Sequence, residues 1–83
     1  MRDFSGWKAY AIAKLNEIFK KALETGDEKL ANDCQTLITK LQYLRLRDLA
    51  GWMALVHHAY QYHKLKELLD ILPSAEEVQK WIS

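Results

Sequence analysis

From Trp7 onward the apolar residues Ala11, Ile12, Leu15, Ile18, Phe19, Ala22 and Leu23 recur at three-four spacing, which places them on one side of a helix. Tyr10, Lys14, Asn16, Glu17, Lys20, Lys21 and Glu24 fall on the other side as a mixed solvated surface. Gly26 suits the left-handed cap that ends such a helix, and Asp27 suits the N-cap of the next, so Thr25-Gly26-Asp27 reads as a tight helix-to-helix turn. A narrower stripe follows at Leu30, Cys34, Leu37, Ile38, Leu41 and Leu44, with Ala31 at its edge. Beyond Leu44 the pattern fails, because Arg45 lands in the stripe and Leu46 outside it. A break is therefore expected between Leu44 and Gly51, with Asp48 as the N-cap of a third helix.

The third helix is expected to run from about Leu49 to Leu72. Its broad apolar arc of Trp52, Leu55, Val56, Ala59, Tyr62, Leu65, Leu69 and Leu72 is taken to be centred on Leu55. Pro73 ends it, and Ser74 with Glu77 three residues later forms a capping box. A short last helix should then span Ala75 to about Ile82, with Val78, Trp81 and Ile82 on its inner face and Trp81 lying on the bundle. The fold class that follows is all-α, a small antiparallel bundle of three long helices plus a short C-terminal one. The echo of Gly6-Trp7-x-Ala9 in Gly51-Trp52-x-Ala54 fades within a turn, and the chain has no room for the three or so units that a repeat array needs.

Composition narrows the class. A chain of 83 residues builds one core, so residues 1–83 are read as one domain. The residues are 49% hydrophobic and 28% charged with a single Pro, the profile of an ordered globular chain. The net charge of +1 gives no whole-molecule attraction to nucleic acid or anionic membrane, so any such binding must come from a local patch. Charges at Arg2, Asp3, Lys8, Lys14 and Glu17 interrupt the N-terminal segment, and no apolar run approaches the roughly 18 to 20 residues of a membrane span. One cysteine and no thiol cluster point to a reducing compartment, and a cytoplasmic location is expected.

The richest stretch chemically is LVHHAYQYHKLK, residues 55–66, with three histidines. On one helix His57, His58 and His63 project in different directions and none is separated from another by three or four residues, the spacing that helix chelation of a metal requires. His58 is read as a core-edge histidine and His63 as a weak surface partner of Glu67. No metal or other cofactor is expected. Cys34, set among leucines, reads as a small buried hydrophobe rather than a nucleophile. Phosphate-cradling glycine loops, nucleophile elbows and convergent carboxylates are all missing from the pattern, and Glu76 and Glu77 suit the first turn of the last helix. Neither catalysis nor a small-molecule substrate is expected.

Binding to a macromolecule is what remains. Tyr43, Met53, His57 and Tyr60 fall outside the apolar stripes, Arg45, Leu46, Arg47 and Lys64 join them as candidate contact residues, and Tyr, Met and Arg are enriched at protein interfaces. The expected function is a non-catalytic interaction module, an adaptor, regulator or inhibitor that binds a protein partner, either a different chain or its own copy. Residues 40–66 also hold Lys40, Arg45, Arg47, Lys64 and Lys66 against Asp48 alone, with Tyr43, Tyr60 and Tyr62 interleaved. Cations beside aromatics suit nucleic-acid backbone contact and base stacking, which makes nucleic acid the second expected partner.

Overall fold

The computed structural model describes residues 1–83 and is all-helical: α1 (Phe4–Thr25), α2 (Glu28–Gln42), α3 (Leu49–His63) and α4 (Ala75–Ile82). A single 3-10 turn at Leu46–Asp48 joins α2 to α3, and a second, longer 3-10 turn segment at Lys66–Ile71 joins α3 to α4. No helix is long and apolar enough to cross a membrane. One core unites Trp7, Ala11, Leu15 and Ile18 of α1, Cys34, Leu37, Ile38 and Leu41 of α2, Leu49, Trp52, Val56 and Ala59 of α3, and Leu68 and Ile71 of the second turn.

Local chemistry accounts for most boundaries. α1 starts a turn earlier than the apolar stripe implies, because the Asp3 carboxylate accepts the Gly6 N–H at 2.7 Å and caps the helix. It ends at Gly26, whose φ of 74° lets its N–H reach back to the carbonyls of Ala22 and Leu23. Asp27 then accepts from the Leu30 N–H at 3.1 Å, so the chain reverses in two residues and α2 lies antiparallel along α1. Leu23, assigned by spacing to the buried stripe, is 59% exposed, since the buried line of α1 runs through Leu15, Ile18 and Ala22 and Leu23 lies about 100° round the helix from Ala22. Asp48 occupies the N-cap position of α3, but its side chain makes no capping hydrogen bond.

The third helix is much shorter than its apolar pattern implies. It stops at His63, where Lys64 takes the left-handed conformation with φ of 56°, and the chain continues as the tight turn Lys66–Ile71. The buried line of α3 runs through Leu49, Trp52, Val56 and Ala59, so the arc centres near Val56 and lies about 100° from the Leu55 direction. Continued as a helix, the chain would bring Glu67 and Asp70 within roughly 40° of that line and would carry Leu68 away from it. The break at Lys64 resets the phase, and Leu68 and Ile71 become fully buried while Glu67 and Asp70 face water.

α4 begins with the expected capping box: Ser74 Oγ accepts the Glu77 N–H at 3.1 Å, and the Glu77 carboxylate accepts the Ser74 N–H at 3.0 Å. Trp81 lies on the bundle as expected, edge-on to Phe4 at 5.4 Å and tilted against Trp7 at 5.7 Å. Glu77 has a partner that local sequence does not reveal. Arg2 grips it with two hydrogen bonds of 2.8 Å, and the Trp81 indole N–H donates to the Arg2 carbonyl at 3.0 Å. The chain's first residues thereby hold its last helix in place.

Candidate functional site

The histidine-rich stretch divides into three separate environments. The shifted phase of α3 carries His63 to the buried side, where its Nε2 lies 2.7 Å from Asp33 Oδ2 on α2. A carboxylate only accepts, so Nε2 carries the proton. Glu67, the partner expected for His63, instead lies 4.0 Å from Lys21. Asp33 Oδ1 takes the Lys29 ammonium at 2.8 Å. Burial works against the ionised Asp33, but the hydrogen bonds from Lys29 and His63 more than offset it and hold the carboxyl below its ordinary range. His57 and His58 are exposed, so His58 is not the core-edge residue that spacing implies. No three His, Cys, Asp or Glu side chains are grouped so as to hold a metal.

Cys34 is fully buried, and burial first, then the charges of Asp33 and Asp27, push its thiol up to about 11. At neutral pH the nucleophilic thiolate is scarce. Native protein should therefore react with a thiol reagent far more slowly than protein unfolded in denaturant. Equal labelling rates in the two states would contradict this placement.

The eight residues singled out by sequence separate into two groups. Tyr43, Arg45, Leu46 and Arg47 form the corner between α2 and α3, where the chain is extended at Arg45 before it enters the 3-10 turn. Tyr43, Arg45 and Arg47 point to solvent, with Tyr43 81% exposed, while Leu44 and Leu46 turn inward and pack against the core. Lys8 of α1 anchors the corner by donating to the Leu44 carbonyl at 3.0 Å. Leu46 is thus half-buried rather than part of an exposed set. The second group lies along α3: Met53 and Tyr60 are half-buried against the core, His57 is exposed between them, and Lys64 forms the left-handed cap.

The recessed surface of the molecule lies on the other side of α3, facing α2. A depression of about 360 Å3 is lined by Lys29, Asp33, Thr36 and Leu37 of α2 and by Leu55, His58, Ala59 and Tyr62 of α3. A second, of about 440 Å3, is lined by Lys40, Leu44, Arg47, Asp48, Gly51, Trp52 and Leu55. Leu55 borders both, so the two form one shallow groove that runs from the corner toward Tyr62. Its origin is the packing: α2 lies closely along α1 but approaches α3 at far fewer residues. At the Gly51 end no side chain fills the gap between the helices. Trp52 closes the floor there, its indole N–H donating to the Leu37 carbonyl at 3.1 Å.

The groove therefore joins the first group of sequence candidates through Arg47 and leaves the second group on the opposite flank. Leu55, His58, Tyr62, Lys29 and Thr36 are among the groove residues that sequence reasoning did not select. Leu55 and Tyr62 were assigned to the buried arc, yet they are 40% and 68% exposed. Centring that arc on Val56 and Ala59 turns both residues out. No family model, curated protein or solved structure matches the chain.

Proposed function

We propose that this chain is a non-catalytic, cytoplasmic protein-interaction module whose partner docks on the groove between α2 and α3 and on the corner beside it. The observation that carries this reading is the conjunction of Tyr43, Arg45 and Arg47, all exposed, with a groove whose apolar walls include the partly exposed Leu55 and Tyr62. Tyr and Arg supply much of the binding energy at protein interfaces when a partner desolvates them, and a recess gives the partner's side chains somewhere to seat. The Asp33 carboxylate is fully occupied by Lys29 and His63, which suits a packing contact between helices better than proton-transfer chemistry.

The nucleic-acid reading rests on the same corner, because none of Lys40, Arg45 and Arg47 is paired with a carboxylate. The apolar groove next to them favours protein, since phosphate contact does not require one.

The double change Arg45→Ala with Arg47→Ala tests the reading. Both side chains are exposed and unpaired, so the thermal midpoint should hardly move, while partner binding should weaken by about 1 kcal/mol or more. A loss that persists at high salt supports a packed protein interface, and a loss confined to low salt supports nucleic acid. Undiminished affinity for every partner of the wild-type chain would remove the corner from the functional surface.

A further inference from the structure

Resting on the protein-binding reading above, we infer that the groove between α2 and α3 receives an amphipathic helix of another protein, with acidic residues at the end that lies against Lys40, Arg45 and Arg47.

Charge is distributed unevenly along the chain. From Lys29 to Lys66 there are six cations, Lys29, Lys40, Arg45, Arg47, Lys64 and Lys66, against two acids, Asp33 and Asp48. The two ends of the groove differ in kind. At the Tyr62 end Lys29, Asp33 and His63 satisfy one another, at 2.8 and 2.7 Å, and the Lys29 ammonium also lies 5.3 Å from the centre of the Tyr62 ring. At the corner Lys40, Arg45 and Arg47 have no carboxylate partner, and Asp48 is the only acid among the residues lining that end. A complementary ligand is therefore acidic at the corner and needs no charge at the Tyr62 end.

Between the ends the apolar lining is Leu37 and Ala59, both buried, with the exposed Leu55 beside them. From Gly51 to Tyr62 the groove extends about 16 Å, or three helical turns, the length over which a helix presents apolar residues at i, i+3 or i+4, and i+7. Other peptide modes fit less well. The chain has no strand whose edge could accept an added one, and a groove for a polyproline helix is lined by aromatic rings, whereas here Tyr62 and Trp52 stand far apart. A second copy fits less well too. Twofold pairing of this face with itself would set Lys40, Arg45 and Arg47 either against their own copies or against the Tyr62 end, whose one carboxylate, Asp33, is already taken by Lys29 and His63.

The test is selection of a phage-displayed library of random peptides, each long enough for about four helical turns, on the intact chain. Enriched peptides are then measured against wild type, Leu55→Asn and Arg47→Glu. Leu55 and Arg47 are both exposed, so both variants should keep the helical circular-dichroism spectrum and thermal midpoint, which are checked first. The inference expects peptides with apolar residues at three-four spacing and an acidic end, which gain helix on binding and lose at least about fivefold affinity for each variant. Peptides that lose affinity for Leu55→Asn but are basic, or bind without helix, overturn the inference and leave the face as a protein-binding one. Peptides indifferent to both variants overturn the protein-binding reading of the face itself. No enrichment, self-association abolished by Leu55→Asn, or duplex DNA bound more tightly than any peptide would each overturn the inference.

Discussion

Replacing Trp7 with alanine should destabilise the chain by about 3–5 kcal/mol, the usual cost of truncating a buried tryptophan. The side chain is fully buried and touches three other aromatic rings, stacked on Phe4 at 5.9 Å, edge-on to Trp52 at 5.4 Å and tilted to Trp81 at 5.7 Å. Its indole N–H also donates to the Ile71 carbonyl at 2.8 Å, a buried bond between residues 64 positions apart. Truncation opens a cavity where α1, α3, the Lys66–Ile71 turn and α4 meet, and it strips the Ile71 carbonyl of its donor. A domain of this size has a total stability of roughly 4–12 kcal/mol, so the variant should be largely unfolded or close to it. Urea denaturation followed by circular dichroism measures the change. A loss below about 1 kcal/mol would show that the aromatic cluster is not what joins the elements.

The second large effect is a pH dependence located at Glu77. This carboxyl is only 5% exposed. The Arg2 guanidinium, the Ser74 N–H and, at 3.3 Å, the Arg2 N–H all donate to it, and against the opposing effect of burial they hold it at about 2 instead of the ordinary 4.5. A lowered carboxylate value means that the unfolded chain binds the proton more readily than the folded one. The stabilisation is therefore complete above about pH 5 and is lost as pH falls from 4.5 toward 2. Allowing for water's screening at the partly exposed Arg2, it amounts to about 2 kcal/mol. Glu77→Gln should cost that much at neutral pH, and its stability should converge with that of the wild type near pH 2. Denaturation curves of the two proteins between pH 2 and pH 7 decide the matter. Parallel pH profiles would mean that the Arg2–Glu77 pair does not hold α4.

Elements with local signals were legible in the sequence. Gly26 and Asp27 mark the α1–α2 turn because each satisfies backbone groups within its own helix end. Ser74 and Glu77 mark α4 for the same reason. The end of α3 was not legible. Lys64 adopts a left-handed backbone without glycine's freedom, and Leu65, Leu69 and Leu72 suit a continued helix as well as they suit the turn that forms. What decides between them is the depth at which Leu68 and Ile71 bury against α1 and α3, a tertiary gain that overrides local periodicity. The misplaced arc centre on α3 had direct consequences for the site. It put Leu55 and Tyr62 inside and left His63 on the surface beside Glu67, hiding both the groove and the Asp33 partnership. Arg2 and Glu77, separated by 75 residues, carry no local signal of their pairing. The corner was legible because beyond Leu44 the apolar stripe fails, with Arg45 falling inside it and Leu46 outside.

The two flanks of α3 provide the most direct test of where a partner binds. A photoreactive benzophenone amino acid at position 55 faces the groove, and the same group at position 57 faces the opposite flank, so each reports on one side of one helix. Both side chains are exposed, and both substituted chains should fold. Irradiated in host extract, the chain labelled at position 55 should form an adduct with a protein, and that adduct should weaken when Arg45 and Arg47 are also replaced by alanine. The chain labelled at position 57 should form no such adduct. Protein adducts confined to position 57, or adducts with nucleic acid alone at position 55, would contradict the assignment of the groove between α2 and α3 as the protein-binding face.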